Sequence, residues 1–272
     1  MKLSLVSAAK LATMAFIVAT VVVTAGCGSL GGDQNTFNPA GDVAKRQLDL
    51  FILVLIPAVI VLIGVAVAMT YILVRFRRRE GDGIPKQVEG NNTLEIAWTI
   101  APAVLLLAIA VPTVDAIIDL GGEAGPDALH VRVVAQQWNW RFEYLDPEFA
   151  DEDGRPFRTI DLYIPVDREV GVDLEALDVI HSFWIPRLAG KLDVMPGRSN
   201  HLKFNATETG VFSGQCAEFC GIGHADMKFE TTALEPAQFE TCLSAIEEAA
   251  AVDSEEGRRV NGEEPRPQEC IP

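Results

Sequence analysis

Residues 216–227 read Cys-Ala-Glu-Phe-Cys-Gly-Ile-Gly-His-Ala-Asp-Met, and His181 lies upstream in Val-Ile-His-Ser-Phe-Trp. Two thiolates, two imidazoles and a thioether are soft and borderline ligands, a set that selects copper over calcium or magnesium. A mononuclear blue-copper site takes one Cys, two His and a weak axial Met. Here Cys216 and Cys220 together supply enough sulfur to bridge two metals. The surplus thiolate favours a binuclear copper centre built for electron transfer. Two other readings fit the same residues. A structural zinc ion would use Cys216, Cys220, His224 and His181 and leave Met227 idle. A disulfide between Cys216 and Cys220 is the third.

Such a loop needs a rigid scaffold, and residues 128–236 read as one. Short apolar runs at 130–135, 138–144, 159–165, 179–186, 200–205 and 211–214 are separated by Pro, Gly and Asp. Several short strands with metal ligands in the connecting loops predict an all-β sandwich or barrel. Trp138 and Trp140 fall on one face of the second run and read as core aromatics by their period-two spacing. His130 and His201 lie outside every motif. Residues 237–272 read as a helix followed by an acidic, loosely ordered tail.

The chain ahead of this domain belongs in a membrane. Residues 1–26 have a basic start and a short apolar core, the layout of a secretory signal. They end Thr24-Ala25-Gly26-Cys27, which resembles a bacterial lipoprotein cleavage box with Cys27 as the lipid-modified residue. Residues 27–47 read as a linker. Residues 48–120 form a hairpin of two apolar spans, at about 48–74 and 94–118, each long enough to cross a bilayer. The intervening Arg75, Arg77, Arg78, Arg79 and Lys86 mark a cytoplasmic loop, which puts the β domain outside. Glu95 stands at the cytoplasmic mouth of the second span, where an ionisable group is costly unless it is hydrated, paired or functional.

The net charge of −16 sits in the second half. From residue 119 onward 13 Lys and Arg face 30 Asp and Glu. That field repels nucleic acid and favours a basic partner. Glu143, Asp146, Glu148 and Asp178 are the candidate docking acids, because they neighbour Trp138 or His181 in sequence. The remaining cysteines, Cys242 and Cys270, suit a disulfide in an oxidising compartment, with a loop worth about 3 kcal/mol by chain entropy.

Four motifs carry a family resemblance across about residues 48–236. They are Gly214-Gln-Cys-Ala-Glu-Phe-Cys-Gly-Ile-Gly-His-Ala-Asp-Met227, Asp178-Val-Ile-His-Ser-Phe-Trp184, Lys191-Leu-Asp-Val-Met-Pro-Gly-Arg198 and Gln137-Trp-Asn-Trp140. The chain resembles subunit II of haem–copper cytochrome c oxidases. That resemblance implies a two-helix transmembrane hairpin with an all-β cupredoxin-like extracytoplasmic domain, anchored in the bacterial plasma membrane. It implies a dinuclear CuA centre in which Cys216 and Cys220 bridge both coppers and His181 and His224 bind one each. Met227 and the Glu218 carbonyl would complete the two coordination spheres. The Glu218 side chain would reach a magnesium ion at the interface with subunit I. Trp138 would be the point at which cytochrome c delivers electrons, and Glu95 the entrance of a proton channel into subunit I. The whole complex would reduce oxygen to water and pump protons. One departure is visible: the family often has Gly-His-Gln-Trp-Tyr-Trp where this chain has Ala135-Gln-Gln-Trp-Asn-Trp140.

The rival readings are a copper chaperone or sensor, or the electron-accepting part of another CuA enzyme such as a nitric or nitrous oxide reductase. A fixed set of five ligands argues against a protein that must release copper. Four histidines are too few for the large His-rich domain of nitrous oxide reductase. Quinol oxidase subunit II shares the hairpin but lacks the copper ligands, which are all present here.

Overall fold

The computed structural model describes residues 32, 34–78, 81, 83, 84, 87, 89–150, 154, 156–256 and 267–272. The expected leader 1–26, Cys27 and the loop cations Arg79 and Lys86 lie outside them. Helix α1 spans Asp42–Arg75 and α2 spans Asn92–Leu120. Both are long and apolar enough to cross a membrane, and their most apolar stretches are exposed all round. Pro57, Pro102 and Pro112 lie inside them, as membrane helices tolerate. Asn91 caps α2, its side chain accepting from the Thr93 and Leu94 N–H groups.

Helix α1 begins six residues ahead of the expected span, because the β domain caps its start. The Asn205 Oδ1 accepts from the Asp42 N–H at 3.0 Å, and its Nδ2 donates to the Asp42 carboxylate at 2.7 Å. Asp42 also sits favourably at the positive end of the helix dipole. Ala40, Val43 and Ala44 are buried there. Backbone bonds join Ala40 to Arg187 and Thr207, and Ala44 to Leu188. Only glycine fits at position 41, since a Cβ would strike the Asn205 carbonyl. At 34 residues α1 is about 51 Å long, against roughly 30 Å for a hydrocarbon core. The surplus serves as this anchor. Arg46 ties α1 to Asp115 of α2 at 2.6 Å.

The remaining chain forms ten strands in two five-stranded sheets. In chain order they are β1 Leu129–Gln136, β2 Asn139–Tyr144, β3 Phe157–Thr159, β4 Leu162–Pro165, β5 Val170–Ala176, β6 His181–Trp184, β7 Leu192–Val194, β8 Asn200–Phe204, β9 Gly210–Cys216 and β10 Lys228–Leu234. One sheet runs β3-β2-β1-β5-β8 and the other β4-β10-β9-β6-β7. Pairs β1/β5 and β4/β10 are parallel, and the other neighbours are antiparallel. This is the cupredoxin-like all-β domain that the sequence predicts. Helix α3, Pro236–Glu256, follows β10.

Three details differ from the sequence reading. The run 159–165 is two strands in different sheets: Thr159 pairs with Phe142, and Leu162 pairs with Thr231. The chain crosses between layers at Ile160 and Asp161, where the Thr159 hydroxyl donates to the Asp161 carbonyl at 2.6 Å. Strand β5 lies inside its sheet between β1 and β8, although no expected run covers it, and none covers β7 or β10. The outward acids of β5 are partnered across the sheet, Asp173 with His201 and Glu175 with Arg132. Trp138 precedes β2 and is part-exposed, whereas Trp140 is buried, so the two do not share a strand face.

The core is aromatic. Trp140, Phe142, Phe183 and Phe229 form one cluster, with Phe183 and Phe229 stacked at 5.1 Å. Tyr144 on β2 ties the sheets, donating to the Tyr163 carbonyl at 2.8 Å and accepting from its N–H at 2.9 Å. Burial pushes that phenol well above its ordinary value.

Candidate metal centre

Two neighbouring strands end at the site. His181 is the first residue of β6, and Cys216 is the last of β9. The Cys216 N–H donates to the Met227 carbonyl at 3.0 Å, which closes the ligand loop at its base. The Ala217 N–H donates to the Ser182 carbonyl at 2.9 Å and holds the loop against the His181 strand. A single 3₁₀ turn, His224–Asp226, then presents His224 and leads into Met227.

The donor atoms of His181, Cys216 and Cys220 all lie within 4.8 Å of one another. The two Sγ atoms are 3.8 Å apart and unbonded, so the thiols are not a disulfide. His181 Nδ1 faces Cys216 Sγ at 3.9 Å, while His224 Nδ1 faces Cys220 Sγ at 3.7 Å. Met227 Sδ stands 3.8 Å from Cys220 Sγ, and the Glu218 carbonyl 3.2 Å from Cys216 Sγ. Six donors thus converge where a tetrahedral ion takes four. His181 and Met227 are almost fully buried, and the cysteines nearly so. Burial, reinforced by Cys216, pushes the Cys220 thiol up to about 11. It is therefore protonated at neutral pH until a soft cation displaces the proton.

Asp178 sets the orientation of His181. Its Oδ1 lies 2.9 Å from His181 Nε2, leaving Nδ1 to face the sulfurs. Burial alone would raise this carboxyl, but bonds from the Gln137 N–H, the His181 ring and the Val179 N–H outweigh that and hold it below its ordinary value. A carboxylate behind a ligating imidazole fixes its tautomer and basicity. Replacing Asp178 by Ala should therefore weaken metal binding by about 10–100-fold. A competition titration with a chelator checks this, and unchanged affinity would reduce Asp178 to a cap on its own turn.

Trp138 lies over the ligand loop. Its indole Nε1 donates to the Cys220 carbonyl at 3.3 Å, and the Gln137 side chain donates to the same oxygen at 2.7 Å. The ring rests on Gly223, where a Cβ would come within 2.5 Å of the indole. Glu218 is exposed beside the sulfurs. Glu95 is remote, exposed in the first turn of α2.

The comparisons match this architecture piece by piece. A family model described as cytochrome c oxidase subunit II, transmembrane domain, matches residues 33–115, and one described as its periplasmic domain matches residues 157–233. Cytochrome c oxidase subunit 2 of Alkalihalophilus pseudofirmus is 38% identical over 244 residues, covering 86% of this chain and 69% of that protein. The chain belongs to the cytochrome c oxidase subunit II family. Quinol oxidase subunit 2 of Bacillus spizizenii is 32% identical, over 86% of this chain and 72% of that protein. The crystal structure of the periplasmic domain of subunit II from Bradyrhizobium japonicum is 29% identical, over 46% of this chain and 97% of that one, with a TM-score of 0.40. The chain spans about two thirds of the length of the curated bacterial oxidase subunits it matches, 69% and 64% for two of them.

For a subunit II chain, the four expected docking acids are poorly placed. Glu143 is only 3% exposed and is enclosed by Arg132, Arg141 and Arg158. Asp146 and Glu148 both pair with Arg168. Asp178 is engaged with His181. Their nearness in sequence to Trp138 and His181 hid these cross-strand partners. Among the described residues, large apolar side chains instead stand exposed around the site: Phe219 and Ile222 on the ligand loop, with Leu177, Val179 and Ile180 ahead of β6. Sequence reasoning missed this group, although the order Leu-Asp-Val-Ile beside a ligand was its signal.

Proposed function

We propose that this chain is the electron-accepting subunit of a respiratory cytochrome c oxidase. It takes electrons from cytochrome c above Trp138 and delivers them to the haem centres of subunit I, where oxygen is reduced to water and protons are pumped. The observation that carries this reading is the convergence of two unbonded thiols, two imidazoles, a thioether and a carbonyl in one buried cluster. That donor set suits a dinuclear copper centre held by Cys216, Cys220, His181, His224, Met227 and the Glu218 carbonyl. When bound, such a centre supplies one-electron chemistry with little change in geometry.

The chain's own residues do the rest. Strands β6 and β9 hold two ligands on rigid backbone, and the Cys216–Met227 bond fixes the loop between them. Asp178 orients one imidazole. The Trp138 indole joins the surface to the Cys220 backbone through one hydrogen bond. Glu218, which is exposed, would bind magnesium against subunit I. Glu95 opens the proton path at the cytoplasmic face. Arg75, Arg77 and Arg78 keep that face inside the plasma membrane, so the β domain is extracytoplasmic. The subunit by itself transfers electrons and activates no substrate.

Copper quantification and electron paramagnetic resonance on the full chain test the centre. A copper pair per chain, with a multi-line signal from one electron shared between two metals, is expected. Stoichiometric zinc, or one copper with a simple four-line signal, overturns it. Replacing Trp138 by Ala should slow electron delivery from cytochrome c on the order of 100-fold while leaving the copper signal intact. Stopped-flow reduction of the complex measures this, and an unchanged rate would place the point of electron delivery elsewhere.

A further inference from the structure

The β1/β2 hairpin belongs to one sheet and the ligand loop to the other, yet the hairpin tip bonds to the loop. Strand β1 ends at Gln136 and β2 starts at Asn139, so the tip is Gln137 and Trp138. Gln137 makes two bonds in different directions. Its backbone N–H donates to Asp178 Oδ2 at 2.8 Å, and its side-chain Nε2 donates to the Cys220 carbonyl at 2.7 Å. Asp178 meets His181 Nε2 with its other oxygen, at 2.9 Å. The donors fall into two halves, His181 with Cys216 and Cys220 with His224. Both halves are therefore tied to the same residue.

The surroundings suit that reach. Gly221 follows Cys220 with a φ of +124°, a conformation that L side chains rarely adopt. A Cβ there would come within 3.1 Å of both Gln137 Nε2 and the Trp138 ring. Glycine thus lets the loop turn at this point and lets the amide lie against it. On the other side, the Leu177 N–H donates to the Ala135 carbonyl at 3.0 Å, which brings the Asp178 turn beside the tip. The Trp138 indole reaches the same Cys220 carbonyl by a longer bond, 3.3 Å.

We propose that Gln137 is a positioning residue of the metal centre. It holds the Cys220 half of the donor set in register with the His181 half, so that both halves close on the metal together. Gln137 and Trp138 divide the roles at one carbonyl: the shorter bond fixes the loop, and the indole serves electron delivery. This inference rests on the proposed copper centre.

The variant Gln137→Met, in the full chain in mild detergent, tests it by keeping the side-chain length and the backbone bond to Asp178 while removing the donor. Copper should pass from this variant to a chelator roughly 3- to 10-fold faster than from the parent, as losing one hydrogen bond would give. The multi-line resonance signal should persist with unequal line spacing, a change that simple space-filling would not cause. In the copper-free chain, Cys220 should be alkylated severalfold faster than in the parent, as located by fragment-ion mass spectrometry. Cys216, whose N–H bond to the Met227 carbonyl is untouched, should keep its parent rate. Combined with Asp178→Ala, the change should add little, because the tie has already lost its other end. Copper release from that double variant should lie within about twofold of the Asp178→Ala single. If Gln137→Met fails to fold, Gln137→Ala carries the same measurements with the same expected outcomes. Parent-like copper release, or parent-like alkylation of Cys220, overturns the proposal. So do effects that multiply in the double variant, since they would mean two independent bonds. A parent chain without the multi-line signal refutes the copper centre instead, and the copper-free alkylation result then decides the proposal by itself.

Discussion

Changing Cys216 or Cys220 to Ser is expected to abolish the shared-electron copper signal and to cost more than the roughly 10–100-fold that losing an outer-shell partner costs. The reason is geometric as well as chemical. Each sulfur touches a different imidazole, Cys216 that of His181 and Cys220 that of His224, while the sulfurs touch each other at 3.8 Å. Each thiol is therefore a hub, and removing either one disconnects half of the donors. A hydroxyl is hard, and it stays protonated where a thiol would be displaced by copper. The fold should survive, because the Cys216 N–H to Met227 bond is made by backbone. The measurement is the resonance spectrum of the full chain, with circular dichroism as the check on folding. An intact multi-line signal in either variant sinks the ligand assignment.

Breaking the second cysteine pair should cost stability and spare the metal. Cys242 and Cys270 are bonded, fully buried, and 28 residues apart. A loop of that length is worth about 3.5 kcal/mol by chain entropy. The bond pins the end of the chain beneath α3, where Gln238 also donates to the Ile271 carbonyl at 2.7 Å. Above it Phe239 packs edge-on to Phe149 and near Tyr144. Cys242→Ser should lower unfolding stability by about 3–4 kcal/mol in denaturant titrations. Copper content should stay as in the parent chain, since α3 contributes no ligand. A loss below about 1 kcal/mol would show that packing, rather than the covalent link, holds the tail.

The parts legible in sequence were those whose meaning is local. Cys216, Cys220, His224 and Met227 sit within twelve residues, so their spacing alone gathers them. The apolar runs of α1 and α2 declare themselves by length. What escaped depended on partners far away in the chain. The start of α1 is set by Asn205, 163 residues from Asp42. Glu143 looks like a free surface acid, yet Arg132 on β1 and Arg158 on β3 close over it. Strand β5 carries two acids and a glycine, and only its neighbours' side chains, His201 and Arg132, make that pattern a sheet interior. Asp178 shows the same limit at the site itself. Its distance of three residues from His181 was visible, but its role depended on a tight turn that aims it at Nε2.

The clamp at Gly41 and Asn205 has a consequence for electron flow. Tunnelling rates fall steeply with separation, so a redox centre on a swinging domain would deliver its electron unevenly. Here the transmembrane rod runs unbroken into the capping contact, and the β domain cannot tilt without unwinding the first turn of α1 or parting Asp42 from Asn205. The helix thereby works as a standoff, holding the Cys216–Met227 loop at one height above the hairpin. A substitution at position 41, some distance from any ligand, would then act on timing: the centre would load with copper normally yet hand its electron onward over a spread of distances, and single-turnover traces would broaden from one exponential into many.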